Sequence, residues 1–129
     1  MLYSKLPVHK VYKPFGLMLL AECIEKAGFK CDILDLMTCK PSKKENMILK
    51  MANKYSIIGF SFSAIGYLEA LKMAKLCKEL NPDCKIVFGG PHASFLYEEI
   101  LKNYKFVDFI VVGEGEESIV DLLTEGRNQ

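Results

Sequence analysis

Three runs in the chain, Ile57-Ile58-Gly59-Phe60, Ile86-Val87-Phe88 and Phe109-Ile110-Val111-Val112, are apolar without polar alternation. A strand with one wet face alternates apolar and polar residues. A strand covered on both faces does not, and that is the condition of a parallel strand between two helical layers. The runs therefore predict buried strands over 56–62, 84–88 and 109–112. Helical periodicity fills the gaps between them. Ala70, Met73, Ala74, Cys77 and Leu80 share one helical face, and Lys72, Lys75, Lys78 and Glu79 lie opposite.

The same alternation extends to both ends. Leu2, Tyr3 and Leu6 suit a short first strand, and Pro7 and Pro14 bracket a loop. Leu17, Leu20, Ala21 and Ile24 mark a helix over 15–27, stopped by Gly28. A second strand is expected over 31–36 and a second helix over 45–54. Ser94 suits the N-cap of a helix over 95–103, with Tyr97, Ile100, Leu101 and Tyr104 as its apolar stripe. A last helix over 116–124 turns Ile119, Leu122 and Leu123 inward. Strand–helix repeated five times implies a parallel sheet with helices on both faces. The expected fold is α/β, a flavodoxin-like three-layer doubly wound sheet of five strands in the order 2-1-3-4-5. All of 1–129 forms one domain in this reading.

Composition narrows the function. Half the residues are hydrophobic and 26% are charged, and the net charge is only +1. Sixteen of the 17 basic residues are lysine, with Arg127 the exception, so neither a nucleic-acid surface nor bidentate phosphate recognition is indicated. Cys23, Cys31, Cys39, Cys77 and Cys84 include no C-x-x-C pair. They read as reduced thiols, most of them buried, in a cytoplasmic protein. No apolar run approaches the roughly 20 residues of a membrane span, and Lys5, Lys10 and Lys13 interrupt any signal-peptide pattern.

In open parallel sheets, ligands bind beyond the carboxyl ends of the strands. That edge holds the loops around Ser61-Phe62-Ser63, Gly89-Gly90-Pro91-His92 and Gly113-Glu114-Gly115, all rich in small residues. The turns at the opposite edge are plain. No phosphate loop or dinucleotide glycine motif is present, and the glutamates around Gly113 and Gly115 would repel a pyrophosphate. His9 and His92 are the only histidines and match no zinc spacing. Ser61 and Ser63 have no His/Asp partners in a triad pattern. His92 reads as a loop hydrogen-bonder, and Asp35 as a turn former.

Five segments taken together carry a family likeness. They are Pro14-Phe15-Gly16-Leu17-Met18-Leu19-Leu20-Ala21, Ala27-Gly28-Phe29-Lys30-Cys31-Asp32-Ile33-Leu34-Asp35, Ile58-Gly59-Phe60-Ser61, the run from Asn81 through Gly89-Gly90-Pro91-His92-Ala93, and the run from Val107 to Glu116. In this order they resemble the N-terminal cobalamin-binding domain of B12-dependent radical-SAM enzymes. The resemblance implies that cobalamin is the cofactor, its nucleotide tail entering the sheet edge and its corrin lying over the loops. Carried onto this chain, Ser61 and Ser63 would contact the tail by hydroxyl, and Phe62 lies between them. Gly89 and Gly90 would pass close to it, with Pro91 and His92 following. Gly113, Glu114 and Gly115 would line the other wall, offering backbone amides.

The D-x-H-x-x-G motif that ligates cobalt in other B12 proteins is absent, since no aspartate precedes His9. His9 is therefore not expected to be a cobalt ligand, and no residue is assigned to metal. No C-x-x-x-C-x-x-C is present either, so a [4Fe–4S] cluster and S-adenosylmethionine would belong to a separate catalytic domain. The chain reads as a fragment or truncated relative, without catalysis of its own, serving methyl transfer or radical chemistry performed by a radical-SAM domain. Two rivals follow. One is a degenerate domain acting in docking or dimerisation without cofactor. The other is an FMN-binding flavodoxin relative, which the first loop disfavours because it lacks a Ser/Thr-rich phosphate cradle.

Overall fold

The computed structural model describes residues 2–3, 15–35, 41–62, 66–113 and 115–128. The apolar runs become β3 (Ile57–Ser61), β4 (Lys85–Gly89) and β5 (Phe109–Val111), and these form a parallel sheet. The β3–β4 ladder is the longest, running from Ile57 opposite Lys85 to Ser61 opposite Gly89. Two strands of two residues each lie on the other side of β3. In β1 (Leu2–Tyr3), Leu2 faces Phe60 and Tyr3 faces Ser61, and the same two residues pair with Leu34 and Asp35 of β2 (Leu34–Asp35). Asp35 ends β2, as expected, and the turn after it lies outside the described residues. Leu6 and the loop bracketed by Pro7 and Pro14 lie outside the described residues.

Successive strand residues point to opposite faces, so the apolar runs feed two cores at once. Ile58, Phe60, Ile86 and Phe88 face α2 (Pro41–Lys54) and α3 (Tyr67–Leu80), where they meet Ile48, Ala52, Ala74 and Cys77. Ile57 and Val87 face the other way, with Ile24 of α1 (Phe15–Lys26) and Ile119 of α6 (Glu116–Asn128). The first core is the larger, and Phe88, Ile48, Ile58 and Ile86 are fully buried within it.

The chain between β4 and β5 differs from the sequence expectation. A helix starts at once after Gly90, as α4 (Pro91–Phe95), breaks at Leu96 and resumes as α5 (Tyr97–Asn103). Proline at the first helical position is favoured, because its missing N–H would have been unsatisfied there anyway. Ser94 therefore sits inside α4 and is not an N-cap. The expected apolar stripe of α5 is also narrower: Ile100 is buried, while Tyr97 and Leu101 are exposed.

A polar knot locks the amino edge of the sheet. The Lys78 ammonium on α3 donates to Asp108 Oδ2 at 2.5 Å and to the Cys84 carbonyl at 2.7 Å. The same Asp108 oxygen accepts the Ile86 N–H at 2.8 Å, and the Asp108 N–H donates back to the Ile86 carbonyl at 3.0 Å. One carboxylate thus joins the start of β5 to the start of β4 and to α3. Hydrogen bonds to charged groups are worth about 1.5–3 kcal/mol each when half-shielded from water. Asp108→Ala is expected to lower unfolding stability by about 2–3 kcal/mol in denaturant titration. A double-mutant cycle with Lys78→Met should show coupling above about 0.5 kcal/mol.

Cys77 and Cys84 are fully buried, while Cys23 and Cys31 are half-buried. Burial pushes the Cys77 thiol up from 9.0 to about 12. Between these values the unfolded chain gives up the proton while the folded chain keeps it, so stability falls as pH rises. The limit is about 1.4 kcal/mol per pH unit for one thiol. Unfolding titrations above pH 9 should show this decline, and Cys77→Ala should make it shallower even though it lowers stability at neutral pH.

Candidate functional site

The last rung of the sheet organises the carboxyl edge. Ser61, Gly89 and Val111 lie side by side at the ends of β3, β4 and β5, and Tyr3 extends the rung beyond Ser61. Neighbouring strands are about 4.8 Å apart. Ser61 and Gly89 are therefore immediate neighbours at the edge where a ligand would enter. Ser61 is half-exposed, and its hydroxyl can donate and accept. The expected strand over 56–62 ends at Ser61, the terminal residue of β3.

The two glycines after Phe88 serve different physical ends. Gly90 has φ +104°, a conformation that L side chains rarely adopt. A Cβ there would also sit 3.4 Å from both the Phe62 carbonyl and Ser61 Oγ. The turn itself requires glycine at this position. Gly89 is extended, and a Cβ there would meet only Val111, at 4.0 Å, an ordinary contact. No packing of the described residues requires glycine at 89.

Phe62 and His92 contribute rings to an aromatic cluster beside this edge. The Phe62 ring is buried in the larger core, edge-on to Phe88 at 5.0 Å and stacked on Tyr67 at 5.6 Å. Only its main chain reaches the edge, beside Gly90. His92 is not in a loop. It lies on α4, half-buried, with its ring 4.8 Å from Tyr67 and 6.2 Å from Phe62. Burial, with Tyr104 and Glu99 nearby, pushes the Tyr67 phenol above its usual range. Pro91 is exposed at the start of α4.

The third loop is clipped to the second. Ser94 Oγ accepts the Gly113 N–H at 2.9 Å. This corrects the expectation that the Gly113 amide is free for a ligand, and gives Ser94 a role that helix periodicity could not show. Gly113 has φ +79°, and no described residue lies within 4 Å of a Cβ position there. Gly115 differs again: a Cβ there would press on Val111 at 3.2 Å and Leu20 at 3.4 Å, so its smallness serves packing. Ser63 and Glu114 lie outside the described residues. Among the described residues, no three His, Cys, Asp or Glu side chains form a cluster that could hold a metal ion, and no helix is long and apolar enough to cross a membrane.

Small residues thus close the carboxyl edge of a parallel α/β sheet. The sequence model of the family described as "B12 binding domain" matches residues 6–123. The anaerobic magnesium-protoporphyrin IX monomethyl ester cyclase of Rubrivivax gelatinosus is 34% identical over 101 residues, covering 77% of this chain and 18% of that protein. The cobalamin-dependent radical SAM methyltransferase TokK of Streptomyces tokunonensis is 31% identical over 67 residues, covering 52% of this chain and 10% of that protein. In three dimensions the chain superposes on TsrM from Kitasatospora setae, a radical S-adenosylmethionine methyltransferase solved with cobalamin and a [4Fe–4S] cluster bound. The TM-score is 0.78 at 18% identity, over 95% of this chain and 25% of that one.

The chain belongs to the B12-binding domain family. Cobalamin is the cofactor of this class, and the chain spans between about a tenth and a quarter of the length of the curated relatives it matches.

The residues present fit such a cofactor at the sheet edge. Ser61 offers a hydroxyl, Gly89 offers side-chain-free main chain beside Val111, and no described residue lies within 4 Å of a Cβ position on Gly113. The two glycines separate fold from access. Gly90→Ala is expected to destabilise the domain by about 1–3 kcal/mol through its positive φ. Gly89→Ala should leave stability unchanged or raise it by up to about 1 kcal/mol. Thermal unfolding of the two variants checks the contrast.

Proposed function

We propose that this domain holds cobalamin against the rung Ser61–Gly89–Val111 and presents it to a radical-SAM catalytic domain for methyl transfer or radical chemistry. The observation that carries the reading is Gly89. It is a glycine at the centre of this edge that neither its own conformation nor its described neighbours require. In this reading Ser61 hydrogen-bonds the nucleotide tail, and Ser63 does the same from the adjoining loop. Gly89 and Gly90 give the tail a side-chain-free wall, beside Phe62, Pro91 and His92. Gly113, Glu114 and Gly115 form the facing wall, with Ser94 holding Gly113 in place. Cobalamin supplies the organometallic chemistry once bound; the chain's own residues bind, orient and shield it. The pairing of β1 with both β2 and β3 supports the full flavodoxin-like order 2-1-3-4-5, which puts Ser61 beside the point where strand order reverses. The [4Fe–4S] cluster and S-adenosylmethionine belong, in this reading, to the catalytic domain.

A second reading has its own observation. Leu68 is 76% exposed, Phe95 83% and Val112 52%, and all three lie just after strands that end at this edge. An apolar rim of this kind also suits a domain that docks or dimerises without cofactor.

Gel filtration with hydroxocobalamin distinguishes them. The chain is expected to carry corrinoid absorbance through the column at micromolar concentration. Gly89→Val should weaken retention at least about tenfold, or ~1.4 kcal/mol, while its circular dichroism stays native. A colourless protein that sediments as a dimer would establish the second reading instead.

A further inference from the structure

The lysines of α3 meet different fates. Lys72, Lys75 and Lys78 recur at every third residue, so they neighbour one another on the helix surface. Lys78 is committed to Asp108 and the Cys84 carbonyl. Lys72 and Lys75 are exposed, and neither enters an ion pair among the described residues. Both line a groove of about 520 Å³ between α3 and the turn that follows α5. A third ammonium, Lys105, lines the same groove, exposed and likewise without an ion pair among the described residues.

The turn fixes Lys105 in place. The Tyr104 N–H donates to the Ile100 carbonyl at 2.9 Å, and the Tyr104 carbonyl accepts the Val107 N–H at 3.1 Å. Lys105 and Phe106 are therefore the central residues of a tight turn. Behind it Val107 is buried and Asp108 is tied to Lys78, so the turn is anchored to the core. The Tyr104 and Phe106 rings lie 5.8 Å apart, half-buried against the larger core. With the buried Leu71 they give the groove an apolar floor.

The charge on this face is one-sided. Glu45, Glu69 and Glu79 line a separate groove between α2 and α3, which shares only Lys72 and Lys75 with the first. On the α5 side the described lining holds three ammoniums and no carboxylate. A positive surface of this kind is complemented by carboxylates. Phosphate is served less well, because the groove has no guanidinium to grip it bidentately. A net charge of +1 does not suit a nucleic-acid backbone. A groove open along its length suits a stretch of chain better than an enclosed small anion.

We propose that the groove between α3 and the turn after α5 docks an acidic segment of a partner protein. Its carboxylates meet Lys72, Lys75 and Lys105, and an apolar side chain between them rests on Tyr104 and Phe106. The site is independent of the cofactor reading. Its turn precedes β5, at the amino end of the sheet, whereas Ser61, Gly89 and Val111 end their strands at the carboxyl edge. A partner seated here leaves that edge open.

The test uses the 129-residue chain and a fluorescein-labelled peptide, Asp-Glu-Phe-Glu-Asp, read by fluorescence anisotropy. Saturable binding is expected, weakened at least about fivefold by Lys75→Glu with Lys105→Glu. Lys43→Glu with Lys50→Glu makes the same change in net charge on α2 and should leave affinity within about twofold. The uncharged peptide Asn-Gln-Phe-Gln-Asn should bind the unaltered chain at least about fivefold more weakly. All four substituted side chains are exposed, so circular dichroism should stay native. No saturable binding below about 1 mM, or equal loss in the two variants, would overturn the inference. Oligothymidylate that binds more tightly than the acidic peptide, and is lost with Lys75→Glu and Lys105→Glu, would also overturn it and make the groove a nucleic-acid site.

Discussion

The ladder between β3 and β4 is the constraint on which the rest of the molecule depends. Its five rungs join the two most buried strands, and the side chains alternate between the two faces. Ile58, Phe60, Ile86 and Phe88 hold α2 and α3, while Ile57 and Val87 hold α1 and α6. Slipping this register by one residue would send each set to the other face. Its first rung is secured by the Asp108–Lys78 knot, and its last rung is Ser61 beside Gly89. The charge-assisted ties thus sit at the amino end of the ladder, while the carboxyl edge carries the neutral Ser94–Gly113 clip.

Much of this was legible in the sequence, for physical reasons. Doubly covered strands must be continuously apolar, so β3, β4 and β5 are visible as runs. The helix α3 is visible because its charges and apolar residues segregate cleanly. What periodicity could not show is equally specific. The first turn of α2 carries Ser42 and Lys43, which leave no apolar stripe, so the helix begins earlier than its pattern. The start of α4 depends on Gly90 and Pro91 geometry, while Ser94 looked like a cap and is a clip to Gly113. The second strand starts later than its apolar residues suggest, since 31–33 lie outside it and its described pairing begins at Leu34.

The candidate site divides in the same way. Its location follows from topology, since the loops at the carboxyl ends of parallel strands are identifiable once strands and helices are ordered. The division of labour among its glycines does not, because a sequence records that a side chain is missing and not what it would have struck. Coordinates separate the three cases: Gly90 for backbone conformation, Gly115 for packing against Val111 and Leu20, and Gly89 for neither. Phe62 reads as a site residue by position, yet its ring belongs to the core.

That division gives a way to tell working members of such a family from relics. A copy of this domain that lost its ligand would still be held to glycine at 90, since its turn fails without it, and to a small residue at 115. Position 89 would be released. A Gly-Gly pair read as one motif therefore mixes a fold marker with a ligand marker, and only its first residue reports on what the domain still carries.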